Sequence, residues 1–190
     1  MFTPAMLERA IAVLAANGDD GYPILTVAGL CHAPLGSGDL HVNEAVILGP
    51  DGRELHRHRK LTCFTDGQGE DASSEHTAVG DTLSVFETPV GNLAVLICLD
   101  LYADHCERRV RASHANLLLV PSLSSTTSAH EGAARSYAAS QLASTFVCNQ
   151  APPRGEPGSA RSFYRVPRRS NPHVRHNPGT EPYLLFDLFS

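Results

Sequence analysis

The chain has 190 residues, of which 42% are apolar and 18% are charged, and its formal net charge is −5. This composition is typical of a globular protein and excludes a largely disordered chain, while the acidic balance argues against a nucleic-acid partner. No apolar run reaches the length of a membrane span. We therefore expect no membrane partner. The length of 190 residues fits one domain, and we expect a single domain over residues 1–190.

The first predicted element is a helix, because Leu7, Ile11 and Leu14 recur at helical spacing. Its alanine-rich core resembles that of a signal peptide, but Glu8 and Arg9 precede this core where a signal peptide has a basic segment. We therefore expect a cytoplasmic protein.

Strands dominate the next part of the chain. Residues 24–31 form a continuous apolar run, as expected of a strand that is buried on both faces. Residues 42–48 and 53–61 flank a Gly-Pro-Asp-Gly turn and predict a hairpin. The polar, Gly- and Asp-rich residues 65–74 predict an exposed loop.

The second half of the chain alternates predicted strands and helices. The pattern predicts a hairpin over residues 82–87 and 92–99, a helix over 103–113, a strand over 116–120 that ends at Pro121, a helix over 129–144 and a strand over 145–149. Residues 151–182 predict a loop-rich segment with one strand over 162–166, and residues 183–188 predict a last strand. This alternation indicates a layered α/β domain with mixed sheets.

The chain contains five cysteines at wide spacing and no Cys-x-x-Cys pair, which argues against a disulfide framework and a zinc–thiolate site. Cys98 stands apart because it ends the most apolar predicted strand, directly before a helix. Backbone N–H groups just after such a position can stabilise an oxyanion, so Cys98 is a candidate nucleophile. The alternative interpretation is a buried structural cysteine.

Lys60 lies at the end of the predicted strand over 53–61 and is the candidate partner of Cys98. If its side chain points inward beside Cys98, its charge activates the thiol and stabilises a developing oxyanion. The alternative interpretation is a solvated lysine at the edge of a hairpin.

Four segments carry a resemblance to a known family. Residues 58–61 (HRKL), 80–81 (GD), 85–91 (VFETPVG) and 96–100 (LICLD) resemble the motifs of the nitrilase superfamily of carbon–nitrogen hydrolases, and they occur in the same order. The resemblance extends over residues 22–188. It implies a nitrilase-like αββα sandwich with mixed sheets, a Glu-Lys-Cys catalytic triad and no cofactor or metal.

The resemblance also implies individual site residues. Cys98 matches the nucleophile, Lys60 matches the lysine, and Glu75 matches a second glutamate that the family often has, with Glu70 as the alternative. The matching position for the general-base glutamate would lie before Met1. We therefore expect a carbon–nitrogen hydrolase domain over residues 1–190 that is incomplete at its N-terminus and lacks the first strands.

Three hypotheses for the function remain open. The first is a thiol-dependent hydrolase of a small amide or nitrile, acting through a thioester on Cys98 and assembling as a homo-oligomer like the family. The second is an inactive remnant or pseudoenzyme that lacks the general base and acts as a ligand-binding or assembly partner. The third is a metal-binding module built on His56 and His58, which share a strand face.

Other histidines flank predicted helices and are expected at the surface or at helix ends: His105, His114 and His130.

Overall fold

The computed structural model describes residues 8, 12, 26–32, 40–66, 73–88, 91–124, 126–140, 143–149 and 162–165. The chain divides into two compact units, Met1–Ser84 and Val85–Ser190. Of the predicted first helix, only Glu8 and Ala12 are described, and both are helical. The alternative glutamate Glu70 and the predicted strand over 183–188 lie outside the described residues. The single hydrolase domain over 1–190 stays a prediction.

The first unit contains a sheet in the order β1-β2-β3, formed by antiparallel strands at Thr26–His32, His41–Leu48 and Glu54–Arg59. The predicted strand over 24–31 and the predicted hairpin over 42–61 are confirmed by these strands. The strand β2 is buried throughout after His41, as expected of a central strand.

Short strands complete the first unit. Thr65–Asp66 (β4) pairs antiparallel with Ser73–Ser74 (β5), so the ends of the predicted loop over 65–74 form a small hairpin. Thr77–Ala78 (β6) pairs in parallel with the start of β2, which the sequence pattern did not predict.

The register of β2 and β3 separates two faces. Glu44 lies opposite Arg59 on one face, and Ala45 lies opposite His58 on the other. On the first face Arg57 donates a hydrogen bond to Glu44 at 2.9 Å. Because side chains alternate along a strand, the second face carries His58. Lys60 follows this face directly after the end of β3.

The second unit is built on a five-stranded mixed sheet in the order β11-β10-β9-β8-β7. Its strands are Val85–Thr88 (β7), Gly91–Val95 (β8), Leu117–Ser122 (β9), Ser144–Asn149 (β10) and Phe163–Arg165 (β11). The three central strands β8, β9 and β10 are parallel, while β7 and β11 pair antiparallel at the two edges. Parallel strands need crossover connections.

Helices supply these connections. A 3-10 helix at Cys98–Tyr102 and the helix α1 at Asp104–Ser113 lie between β8 and β9, and the helix α2 at Ser128–Ser140 lies between β9 and β10. Among the described residues, no helix is both long and apolar enough to span a membrane. The predicted α/β architecture with mixed sheets is confirmed.

Several predicted boundaries differ from the structure, among them those at the ends of β8, α2 and β9. The strand predicted over 92–99 ends at Val95, and the helix predicted over 129–144 ends at Ser140 because Ser144 already belongs to β10. The strand predicted to end at Pro121 continues to Ser122. Proline is tolerated there because β8 pairs with β9 only as far as Leu119, so its missing N–H lies beyond the end of that ladder.

Candidate active site

Lys60 follows β3 directly and is held inward by its own backbone. Its N–H donates to the carbonyl of Asn43 at 2.8 Å, and its carbonyl accepts a hydrogen bond from the Gly80 N–H at 2.7 Å. The side chain is only 2% exposed. The interpretation of Lys60 as a solvated edge residue is therefore wrong.

Glu75 is the partner of this buried lysine. Lys60 Nζ donates to Glu75 Oε2 at 2.5 Å, and the Phe64 N–H donates to the same oxygen at 3.0 Å. The other carboxylate oxygen accepts a hydrogen bond from Asn43 Nδ2 at 3.2 Å. The structure thus brings together two of the three predicted site residues and adds Asn43, whose role at the carboxylate the sequence did not reveal.

The ionised form of Glu75 is favoured by these contacts. Burial raises the pKa of this carboxyl, but the hydrogen bonds from Lys60, Phe64 and Asn43 and the charge of Lys60 outweigh burial, so the pKa is held below its ordinary value of 4.5. An ionised carboxylate in turn stabilises the buried lysine as an ion pair.

Gly80 allows the close approach that holds Lys60 in place. A Cβ atom at this position would lie 2.9 Å from the carbonyl oxygen of Arg59 and 3.1 Å from its Cβ. Only glycine lets the chain after β6 come near enough for the hydrogen bond between the Gly80 N–H and the Lys60 carbonyl.

His58 shares the strand face with Lys60 but is not placed as a metal ligand. Its side chain is buried, and its Nε2 atom has no hydrogen-bond partner among the described residues. Burial, followed by the neighbouring charge of His56, lowers the pKa of His58 to about 4. In the part of the chain that the structure describes, no group of three His, Cys, Asp or Glu side chains could hold a metal ion.

Cys98 begins the 3-10 helix instead of ending a strand. Its backbone has a φ of 52°, in the left-handed region that residues other than glycine seldom adopt. Asp100, which is fully buried, accepts a hydrogen bond from the Ile97 N–H at 3.1 Å, and its own N–H donates to the Ile97 carbonyl at 3.1 Å. These two bonds close a tight turn from Ile97 to Asp100, in which Cys98 is the second residue.

The loop after β9 lies next to this thiol. Cys98 Sγ is 4.0 Å from the carbonyl oxygen of Leu123, whose own side chain is exposed. Asn149, at the end of β10, holds the loop by accepting a hydrogen bond from the Ser124 N–H and donating one to the Ser124 carbonyl, both at 2.9 Å. The thiol therefore lies at the carboxyl edge of the parallel strands, where α/β folds bind ligands.

His130 was expected at the surface or at a helix end, and it lies in the first turn of α2 but is buried there. The residue is only 1% exposed, because its ring fits between Tyr102 and Ser122. The helical spacing of three buried residues of α2, His130, Ala134 and Tyr137, would have indicated a buried face. By contrast, His114 ends α1 in a left-handed conformation, as expected of a helix end.

Each unit thus holds one part of the predicted chemistry. The first unit contains the ion pair of Lys60 and Glu75, and the second contains Cys98 on its clamped turn.

Comparison with known proteins identifies relatives of the sequence. A family model described as carbon-nitrogen hydrolase matches residues 20–153. The omega-amidase NIT2 of Xenopus tropicalis is 35% identical over 88 residues, which are 45% of this chain and 32% of that protein. The omega-amidase NIT2 of Bos taurus is 37% identical over 62 residues, 31% of this chain and 22% of that protein. The matches therefore span a third or less of these relatives.

Solved structures show a similar fold. An amidase from Nesterenkonia sp. AN1, in which acrylamide has added to the active-site cysteine, has a TM-score of 0.65 at 21% identity and covers 86% of this chain and 63% of its own. Another structure of that amidase, described as belonging to the nitrilase superfamily, has a TM-score of 0.67 at 19% identity over 92% of this chain and 68% of its own. A carbon-nitrogen hydrolase from Helicobacter pylori has a TM-score of 0.64 at 20% identity, covering 84% of this chain and 60% of its own.

Proposed function

The chain belongs to the carbon–nitrogen hydrolase family, and on that basis we propose that it hydrolyses the amide bond of a small molecule with Cys98 as the nucleophile. The observation that carries the proposal is the setting of Cys98, on a clamped left-handed turn at the carboxyl edge of a parallel sheet. A sharp, strained turn after a strand is how other hydrolases expose a nucleophile. The omega-amidases and the Nesterenkonia amidase among the relatives favour an amide over a nitrile as substrate.

The proposed reaction proceeds in two stages. The Cys98 sulfur bonds to the amide carbonyl carbon, the carbon–nitrogen bond breaks, and the amine leaves with the proton that it acquires, so that a thioester remains. Water then bonds to the same carbon, the carbon–sulfur bond breaks, the carboxylic acid leaves, and the thiol regains its proton. In both stages negative charge develops on the carbonyl oxygen.

Lys60 is the group that we assign to this developing charge. Its buried ammonium group can stabilise an oxyanion more strongly than a solvated one, because the surrounding dielectric is low. Glu75 holds Lys60 in position through the ion pair and Asn43 holds Glu75 through its amide. In this proposal Glu75 acts through Lys60 and does not itself touch the substrate.

Substitution of the nucleophile tests the proposal. We expect Cys98→Ala to lower the hydrolysis of short aliphatic amides at least about a thousandfold, measured as released ammonia. The matched control is Cys148→Ala, which removes an exposed thiol on β10 of the same unit and should leave the rate unchanged. Hydrolysis that persists in Cys98→Ala would overturn the nucleophile.

A wild-type chain that hydrolyses no amide or nitrile would instead favour the non-catalytic remnant or pseudoenzyme that the sequence left open. The homo-oligomer and the cytoplasmic location stay predictions, the first to be checked by sedimentation equilibrium and the second by cell fractionation.

A further inference from the structure

His130 contacts the two chain segments that flank the candidate nucleophile. It lies in the first turn of α2, and its ring is almost fully buried. Its Nε2 atom shares a hydrogen bond with Ser122 Oγ at 3.1 Å. The ring also packs edge-on against Tyr102, with centroids 5.1 Å apart and planes at 80°. Edge-on aromatic contacts of this kind are favourable.

The two contacted residues, Ser122 and Tyr102, each lie on a chain segment that reaches Cys98. Ser122 is followed directly by Leu123, whose carbonyl oxygen lies 4.0 Å from Cys98 Sγ. Tyr102 is the last residue of the 3-10 helix that begins with Cys98. Burial, followed by the nearby charge of Cys98, raises the pKa of Tyr102 above 10.0.

The imidazole of His130 is suited to act by contact and not by proton transfer. Burial lowers its pKa below 6.5. Its second ring nitrogen, Nδ1, is buried and has no hydrogen-bond partner among the described residues. A protonated ring would therefore place an uncompensated charge in the core, so His130 is neutral at neutral pH.

We propose that His130 is a positioning residue for Cys98, which fixes the turn that carries the thiol against the loop after β9. It does so by bridging Tyr102 on the first segment and Ser122 on the second. The inference rests on the proposed function, because the position of the thiol matters only if Cys98 is the nucleophile. The competing explanation is that His130 merely fills space in the core.

Two substitutions separate the two contacts. His130→Phe keeps a ring against Tyr102 but removes the partner of the Ser122 hydroxyl. His130→Gln keeps a polar group for Ser122 but removes the ring. The matched control is Tyr137→Phe, because Tyr137 lies two turns further along the same buried face of α2 and its hydroxyl has no partner among the described residues.

The hydroxyl of the control residue Tyr137 forms no hydrogen bond with the segments around Cys98 among the described residues. Burial, and after it the charges of Glu107 and Cys106 on α1, raise the pKa of Tyr137, while the charge of Arg111 lowers it. Tyr137→Phe therefore reports damage to the core of α2 without a change at Cys98.

Alkylation by iodoacetamide measures the position of the thiol without requiring turnover. The Cys98 sulfur bonds to the methylene carbon, the carbon–iodine bond breaks, iodide leaves, and the thiol proton passes to water. Peptide mass spectrometry then gives the rates at Cys98 and at the exposed Cys148 of the same molecule. A concentration series separates the half-saturating concentration of the reagent from the maximal rate at Cys98.

We expect both His130 variants to lower the maximal rate at Cys98 about tenfold, since misplaced reacting atoms lose rate steeply, while the half-saturating concentration stays within about twofold. The rate at Cys148, and both rates in Tyr137→Phe, should also stay within about twofold of the wild type. Thermal unfolding establishes that the variants are folded, and either His130 variant suffices for the test.

Each other outcome is decisive. A folded His130 variant with the wild-type rate at Cys98 overturns the role of the contact that it lacks, and wild-type rates in both overturn the proposal. An equal fall at Cys148 or in Tyr137→Phe indicates core damage and also overturns it. If wild-type Cys98 reacts no faster than Cys148, the nucleophile itself is wrong, and the proposed function fails before this inference is reached.

Discussion

The ion pair of Lys60 and Glu75 joins a buried lysine to a partly exposed glutamate. Lys60 is 2% exposed, whereas 28% of the Glu75 side chain remains accessible. Water can therefore compensate the carboxylate if the pair is broken, but it cannot compensate the ammonium group without opening the structure. The stability of this region depends on the charge of Glu75 more than on its shape.

Substitution of Glu75 by glutamine tests this dependence. We expect Glu75→Gln to lower the free energy of unfolding by about 1–3 kcal/mol, because Lys60 stays buried without its counter-charge. Urea unfolding at pH 7 measures the change. The control is Glu54→Gln, which removes the charge of a carboxylate in a surface pair with Arg57 and should cost at most about 0.5 kcal/mol.

The effect of Glu75 also has a defined pH dependence. Its pKa in the folded protein lies below 4.5, so its stabilising contribution is fully present above pH 4.5 and is lost as the pH falls through the lower, folded-state pKa. The difference between wild type and Glu75→Gln should therefore shrink in acid. A difference that stays constant down to acid unfolding would contradict the role of the charge.

At the scale of secondary-structure elements, two glycines have opposite surroundings, since Gly80 is crowded and Gly132 is open. Gly80 stands where the chain after β6 crosses the end of β3, and an added Cβ would meet the Arg59 carbonyl at 2.9 Å. Gly132 lies on the exposed side of α2 and has nothing within 4 Å of an added Cβ. The same substitution is therefore expected to have opposite signs at the two positions.

We expect Gly80→Ala to destabilise the protein by about 1–3 kcal/mol, because the clash is with backbone that cannot move without disturbing Lys60. Gly132→Ala should stabilise it by about 0.5–1 kcal/mol through helix propensity and the entropy of the unfolded chain. Chemical unfolding of both variants measures the two changes. Equal effects at the two positions would contradict the close approach at Gly80.

Elements could be predicted from the sequence better than the points where they end. The strand before the Gly-Pro-Asp-Gly turn was predicted because its apolar run indicates burial, and the strand after it was predicted because the turn indicates a hairpin. Leu96 and Ile97 are equally apolar and buried, so the pattern extends the strand to Cys98. What ends it is a side-chain hydrogen bond from the Ile97 N–H to Asp100, which hydrophobic periodicity does not encode.

The candidate site was predictable only in part, because only some of its residues belong to recognisable sequence motifs. Cys98, Lys60 and Glu75 follow from motifs that lie close together along the chain. The burial of His130 depends on Ser122 and Tyr102, which belong to other elements and become its neighbours only after folding. Histidine is intermediate between the buried and the exposed residue types, so its type alone does not predict burial and tertiary contacts decided the outcome.

For the molecule as a whole, buried histidines set the response to acid. Burial lowers the pKa of His58 to about 4, whereas an unfolded histidine titrates near pH 6.5. Because its folded-state pKa is depressed, the stability associated with neutral His58 is complete above pH 6.5 and is lost as the pH falls towards 4. His130 adds to the loss in the same direction.

We expect His58→Leu to flatten this response. Between pH 6.5 and 4, the wild type should lose up to about 3 kcal/mol more than the variant, which has no imidazole to protonate at this position. Unfolding midpoints measured across this range give the comparison. The control is His114→Asn at an exposed position whose φ of 58° asparagine tolerates, and its profile should run parallel to that of the wild type.

The left-handed backbone of Cys98 bears on how this protein can change over generations. A residue with a Cβ in that conformation costs about 1–2 kcal/mol, and glycine removes the cost. Mutation to glycine at this codon would therefore relieve backbone strain while it eliminates the thiol. A relative with glycine at this position would therefore have a relaxed turn and no thiol there.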